Sequence, residues 1–136
     1  MRILAVFLDK SGHTDFMGRR QSSDRAAIDR LVKYASGRTI FIRPYSEPLF
    51  SNCPDAHTLI CNDFQSVTDG IFLAEGGQIV DQKSFDIIIT FNWNRDYPGR
   101  QVFRVDGTLF NNTGHEDFRG SSHEEITMTI HERREN

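Results

Sequence analysis

Ile3-Leu4-Ala5-Val6-Phe7-Leu8, followed by Asp9-Lys10, is apolar without interruption, and that continuity decides the fold class. A strand with one wet face alternates apolar and polar side chains, whereas a strand covered on both faces does not. Phe85–Phe91 and Ile71–Ala74 read the same way, and Thr39–Ile42 and Thr58–Cys61 are further runs of strand length. After the first run comes the clearest helix, Asp24–Ala35, where Ala27, Ile28, Leu31 and Ala35 recur at helical spacing. Ser22 or Ser23 is placed to cap its start and Gly37 to end it. Strand, helix, strand in that order predicts a right-handed crossover with parallel pairing. Val102–Val105 and Ile126–Ile130 alternate, with Arg104, Thr127 and Thr129 between apolar neighbours, which predicts half-exposed antiparallel strands. A short second helix is expected from Gly77 to about Gln82, and the Gly-, Asn- and Ser-rich stretch Asn111–Ser122 reads as a long surface loop. The expected fold is α/β, a single domain over residues 1–136 with one central, mostly parallel or mixed sheet and flanking helices.

A chain of 136 residues suits one domain, and 38% apolar with 26% charged residues is a globular balance. Sixteen basic side chains against 19 acidic ones leave a net charge of −3. That balance does not favour a nucleic-acid partner, a local basic patch aside. No apolar run approaches the ~20 residues of a membrane span. The N-terminal apolar stretch is too short for a signal peptide and lacks a small-residue cleavage site. Cys53 and Cys61 do not make a disulfide framework and are expected as free thiols in a reducing cytoplasm.

Among groups that carry chemistry, Asp24 stands one turn before Ile28 and two before Leu31, on their inward face. Desolvation there would raise its pKa and suit it to handle protons; the alternative is an acid placed to favour a helix dipole. Asp15 reads as a solvated loop residue, and Asp29 lies on the helix's other side. Glu75-Gly76-Gly77 follows a strand, where paired glycines let backbone approach a ligand and leave amides free for phosphate, or simply make a tight turn. None of His13, His57, His115, His123 and His131 pairs at zinc-ligand spacing, so no metal is expected. No Ser or Cys has the context of a nucleophile elbow. Arg19-Arg20 and Arg133-Arg134 read as solvated charge, with anion capture as the alternative.

The order of these segments resembles dihydrofolate reductase over nearly the whole chain. Ile3–Leu8 with Asp9-Lys10 resembles that family's first strand, and Ser11–Ser23, with Met17, the mobile loop over its active site. Gly37–Ile42, Thr58–Cys61, Ile71–Gly77 and Phe85–Thr90 are similar to the strands that follow, and Ile130–Arg134 to a C-terminal strand. The resemblance implies that Asp24 is the active-site acid and that Ala5, Ile28 and Phe50 line the pterin pocket. It places Thr90 on the folate side and His57, or Ala56, where an arginine meets the folate carboxylate. Gly76 and Gly77 would lie against the nicotinamide and pyrophosphate of NADPH. Arg43-Pro44-Tyr45-Ser46 replaces the family's Gly-Arg-x-Thr, so Arg38, Arg43, Tyr45 and Ser46 are the nearest groups for the phosphates. Gly18-Arg19 stands in place of a Pro-Trp pair, and Val80 in place of a tyrosine. Asn62–Gly70 is too short for the strand and helix that build the adenosine side of the cofactor site.

Two functions are therefore expected from different classes. One is an NADPH-dependent oxidoreductase of one-carbon metabolism, acting on dihydrofolate or a related pteridine. The other is a catalytically degenerate protein on the same scaffold, acting as a binding or protein-interaction module. Glu75 before the Gly-Gly pair resembles the related riboflavin-pathway reductases, which differ mainly in substrate.

Overall fold

The computed structural model describes residues 1–78 and 80–135. Seven strands form one sheet: β1 (Arg2–Leu8), β2 (Ile40–Ile42), β3 (Thr58–Ile60), β4 (Gly70–Ala74), β5 (Ile87–Asn92), β6 (Phe110–Phe118) and β7 (Ile126–Arg133). Their spatial order is β3-β2-β4-β1-β5-β7-β6. The first five are mutually parallel, and β7 and β6 close one side in antiparallel fashion. The expected mixed sheet is thus present, with β1 at its centre. Ala5 of β1 lies between Leu73 of β4 and Ile89 of β5, all three fully buried.

One face of the sheet is covered by helix α1 (Arg25–Ala35), whose Ala27, Ile28, Leu31 and Ala35 pack on Ile3, Ala5, Leu73, Ile89 and Phe91. Asp24, not Ser22 or Ser23, caps α1, because its own backbone is extended and its carboxylate takes the Ala27 N–H. Ser36, left-handed at φ 51°, ends it by donating to the Val32 carbonyl.

Among the described residues no α-helix covers the other face. There Phe72 of β4 stacks on Phe41 at 5.1 Å between ring centroids and meets the edges of Phe64 and Phe85 at 5.1 and 5.6 Å. The Arg2 guanidinium lies over Phe72 and Phe85 and donates to the carbonyls of Ser84, Phe64 and Val67. One cation therefore laces two loops onto the aromatic cluster.

Three expectations need correction. Residues of the predicted loop Asn111–Ser122 form most of β6, an edge strand whose side chains between the terminal Phe110 and Phe118 are largely solvated on both faces. An edge strand needs no apolar alternation, so its polar composition imitates a loop. Val102–Val105 is not a strand; only Val102 makes a β-bridge, to His13, while Phe103 and Val105 pack on the second core face. The expected helix Gly77–Gln82 is replaced by a 3₁₀ turn over Gln82–Ser84, and Ile79 lies outside the described residues.

Phe72 is fully buried and touches three other rings, so Phe72→Ala is expected to cost about 3–5 kcal/mol. Urea unfolding monitored by circular dichroism would measure this; a loss below about 1 kcal/mol would contradict the packing described.

Candidate functional site

In parallel sheets ligands bind beyond the carboxyl ends of the strands. At that edge the loop 9–23, the turn 75–78 and the segments 93–101 and 119–125 converge. Asp24, which follows the loop 9–23, has a fully buried carboxylate. Oδ1 accepts from the N–H groups of Ala27 and Ser121 at 3.2 and 3.0 Å. Oδ2 accepts from the N–H groups of Ser122 and His123, the Ser122 hydroxyl, and His123 Nδ1 at 3.0 Å. Ser121 reciprocates, its hydroxyl accepting the Ala26 N–H. Two side chains thereby satisfy donors at the start of α1 that the helix leaves unpaired.

His123 is 4% exposed. Its ring stacks on Trp93 at 4.4 Å, and Trp93 stacks on Phe7 at 5.2 Å. Its Nε2 lies 3.1 Å from the Tyr97 hydroxyl. The two ring nitrogens thus face Asp24 on one side and the Tyr97 hydroxyl on the other. Burial pushes the Asp24 pKa up, but the N–H groups of Ser121, Ser122 and Ala27 and the His123 ring outweigh it and hold the carboxyl well below its ordinary value. The expectation of a raised pKa is corrected by these donors. His123 lies 99 residues from Asp24 along the chain, and no motif in the sequence links them.

The residues expected to line a pterin pocket belong to the core: Ala5, Ile28 and Phe50 are 0, 3 and 7% exposed. Thr90 points to the opposite face from Asp24, with its hydroxyl 3.3 Å from His131 Nε2. His57 is exposed just before β3, its carbonyl accepting the Ile40 N–H. Arg38 precedes β2, at the other end of that strand from Arg43.

The expected cofactor groups do come together. Arg43, Tyr45, Ser46, Gly76 and Gly77 line one cleft of about 280 Å³ with Gly18, Glu75 and Gln78. Gly76 and Gly77 have φ 66° and 84°, the two positive values that a type I′ turn requires, and Gln78 N–H closes the turn on the Glu75 carbonyl. Neither glycine N–H meets an acceptor among the described residues. Glu75 is committed: Arg20 grips both its oxygens at 2.7 and 2.8 Å, and the Ser46 hydroxyl donates to it at 2.8 Å. The loop 9–23 is pinned by further buried acids. Asp9 takes N–H groups of Ser11, His13 and Tyr97 and the His13 ring. Asp15, 1% exposed rather than solvated, takes those of Gly18, Arg100 and Gln101.

No family model matches the chain, and no curated protein matches it in sequence. Among solved structures it is similar to a dihydrofolate reductase from Enterococcus faecalis complexed with NADP(H) and RAB-propyl. The match has a TM-score of 0.71 at 11% identity and covers 99% of this chain and 97% of that one. The protein therefore has a dihydrofolate reductase-like fold. Against a cofactor such as NADP(H), the cleft's residues fit one phosphate-bearing part: two unpaired amides and the Arg43 guanidinium. The cleft is smaller than the ~300–1,000 Å³ typical of drug-sized ligands, and a dinucleotide is larger than those. A Cβ on Gly77 would lie 2.9 Å from Gln101 and 3.3 Å from Asp15, so the closed loop rests on the turn itself. Between β3 and β4 the chain offers only a 3₁₀ turn, Phe64–Ser66, where an adenosine side would be built.

Asp24→Ala leaves three loop N–H groups and His123 without their acceptor, and is expected to cost on the order of 3–5 kcal/mol. Because the folded pKa of Asp24 is depressed, its stabilisation is fully present above the unfolded value near ~3.9 and is lost as pH falls below it. Wild-type stability should decline from about pH 5 downwards, and Asp24→Ala should decline less steeply. Asp9 and Asp15, also depressed by backbone donors that outweigh burial, supply the remaining slope. Denaturant titrations across that range would decide; parallel curves would exclude Asp24 as the source.

Proposed function

We propose that the protein is a catalytically degenerate member of the dihydrofolate reductase-like fold, a binding module and not a reductase. One observation carries this reading. Asp24, which the resemblance makes the family's acid, has a fully buried carboxylate with both oxygens taken by the start of α1 and by residues 121–123. A group that assists protonation of a substrate must touch it or reach it through one water, and Asp24 has neither a free oxygen nor an open face. The closed walls at Ala5, Ile28 and Phe50 support the same conclusion.

Two observations favour the second reading, an NADPH-dependent reductase of dihydrofolate or a related pteridine. The Gly76 and Gly77 amides stand beside Arg43, ready for a phosphate. The buried indole N–H of Trp93, next to His123, meets no acceptor among the described residues. In that reading the cofactor would supply hydride, Arg43 and the two glycine amides would hold its phosphate, and Asp24 would have to leave its present partners.

The test is NADPH consumption with dihydrofolate, for the wild type and Asp24→Asn. The degenerate reading predicts no turnover above background in either protein. Turnover in the wild type that falls by roughly 10²–10⁴ in Asp24→Asn would establish the reductase instead.

A further inference from the structure

A second surface lies away from Asp24 and adjoins the cleft at Gly18. Residues 13–18 and 97–102 form a ribbon: His13 bridges Val102, Thr14 N–H donates to the Gln101 carbonyl, and Asp15 joins Gly18, Arg100 and Gln101. Phe16 and Arg19 exchange both backbone hydrogen bonds, making a two-residue hairpin tip of Met17 and Gly18. The ribbon sorts its charges by burial. Asp15 is buried and consumed by backbone donors, while Arg19 and Arg100 are exposed and ion-paired with nothing among the described residues. Asp96 is the exposed acid nearby, and it accepts the Ser11 hydroxyl. Around the arginines Phe16, Met17 and Val102 are 40, 50 and 51% exposed.

Met17 adds an independent observation. It has φ 51° at a turn position where Gly, Asn or Asp sits with less strain. The fold keeps a strained, half-exposed apolar side chain at a tip where the turn alone asks for none. Strain held at an exposed tip points to use.

We infer that this ribbon is a docking surface for an acidic protein segment carrying an apolar anchor, with Arg19 and Arg100 meeting carboxylates and Phe16, Met17 and Val102 receiving the anchor. Charge complementarity selects that partner: two exposed, unpaired guanidiniums on a chain of net charge −3 favour an acidic ligand over a basic or purely apolar one. Exposed arginine beside aromatic and methionine side chains has the composition of interface centres. The docking surface adjoins the cleft at Gly18, but none of its five side chains lines it.

The test uses the full chain and a fluorescently labelled peptide alternating Asp or Glu with Leu or Phe, followed by anisotropy. A charge-inverted Lys/Leu peptide, a thymidine oligonucleotide and sedimentation of the protein alone are the other arms. The acidic peptide is expected to bind, more weakly as salt rises, and at least tenfold more weakly to Arg19→Glu/Arg100→Glu. Met17→Gly is expected to weaken binding several-fold while the thermal melt is unchanged or raised, which separates lost contact from lost fold. Failure of the acidic peptide to bind, or equal binding by the variants, overturns the proposal. Tighter binding of the oligonucleotide overturns it in favour of a polyanion. A dimer that Arg19→Glu/Arg100→Glu dissolves overturns it in favour of a second copy of the chain.

Discussion

Asp24 carries a constraint on which much of the architecture depends. A fully buried carboxylate is tolerable only when each oxygen is saturated with donors. Here the donors come from two distant places, the first turn of α1 and the loop between β6 and β7. The bond network therefore fixes the helix that covers one sheet face against the antiparallel end of the same sheet. His123 extends it inward, through Trp93 to Phe7 of the central strand. Gly120 is part of the same fit, since a Cβ there would lie 2.6 Å from the Asp24 carboxylate.

The same device recurs along the strand ends. Asp9 and Asp15 are buried loop acids saturated by backbone N–H groups, and Glu75 is saturated by Arg20 and Ser46. Each ties a segment of irregular backbone to its neighbour without a helix or a strand. That is how a short chain closes a surface which longer elements would otherwise cover. Under the proposed function these acids act as structural acceptors rather than as proton donors, and the exposed Arg19 and Arg100 are the charges offered to the inferred partner.

The parallel strands were legible because burial on both faces demands uninterrupted apolar runs, as in Ile3–Leu8. The same continuity hides which face each side chain takes. In Ile87–Phe91 nothing in the pattern says that Thr90 turns away from α1 while Ile89 and Phe91 turn towards it. β6 was illegible for the opposite reason, since an edge strand wet on both faces carries no periodic signal. Asp24 was readable as an inward acid at the start of a helix. Its partners were not, because His123 and Ser121 reach it through the tertiary fold alone. The glycines of the cleft were readable, whereas the closure of the loop upon them depends on Asp15 meeting Arg100 and Gln101 across 85 and 86 residues.

Under the proposed function Asp24 is a saturated structural acceptor and not a proton-handling acid. Its carboxyl carbon, followed by NMR as pH is lowered on selectively labelled protein, tests this most directly. Asp24 is expected to stay ionised through the range where exposed aspartates titrate, near ~3.9, and to take up a proton only as the fold is lost. A reversible titration of Asp24 at or above pH ~5 in the folded protein would contradict it and return the residue to catalytic chemistry.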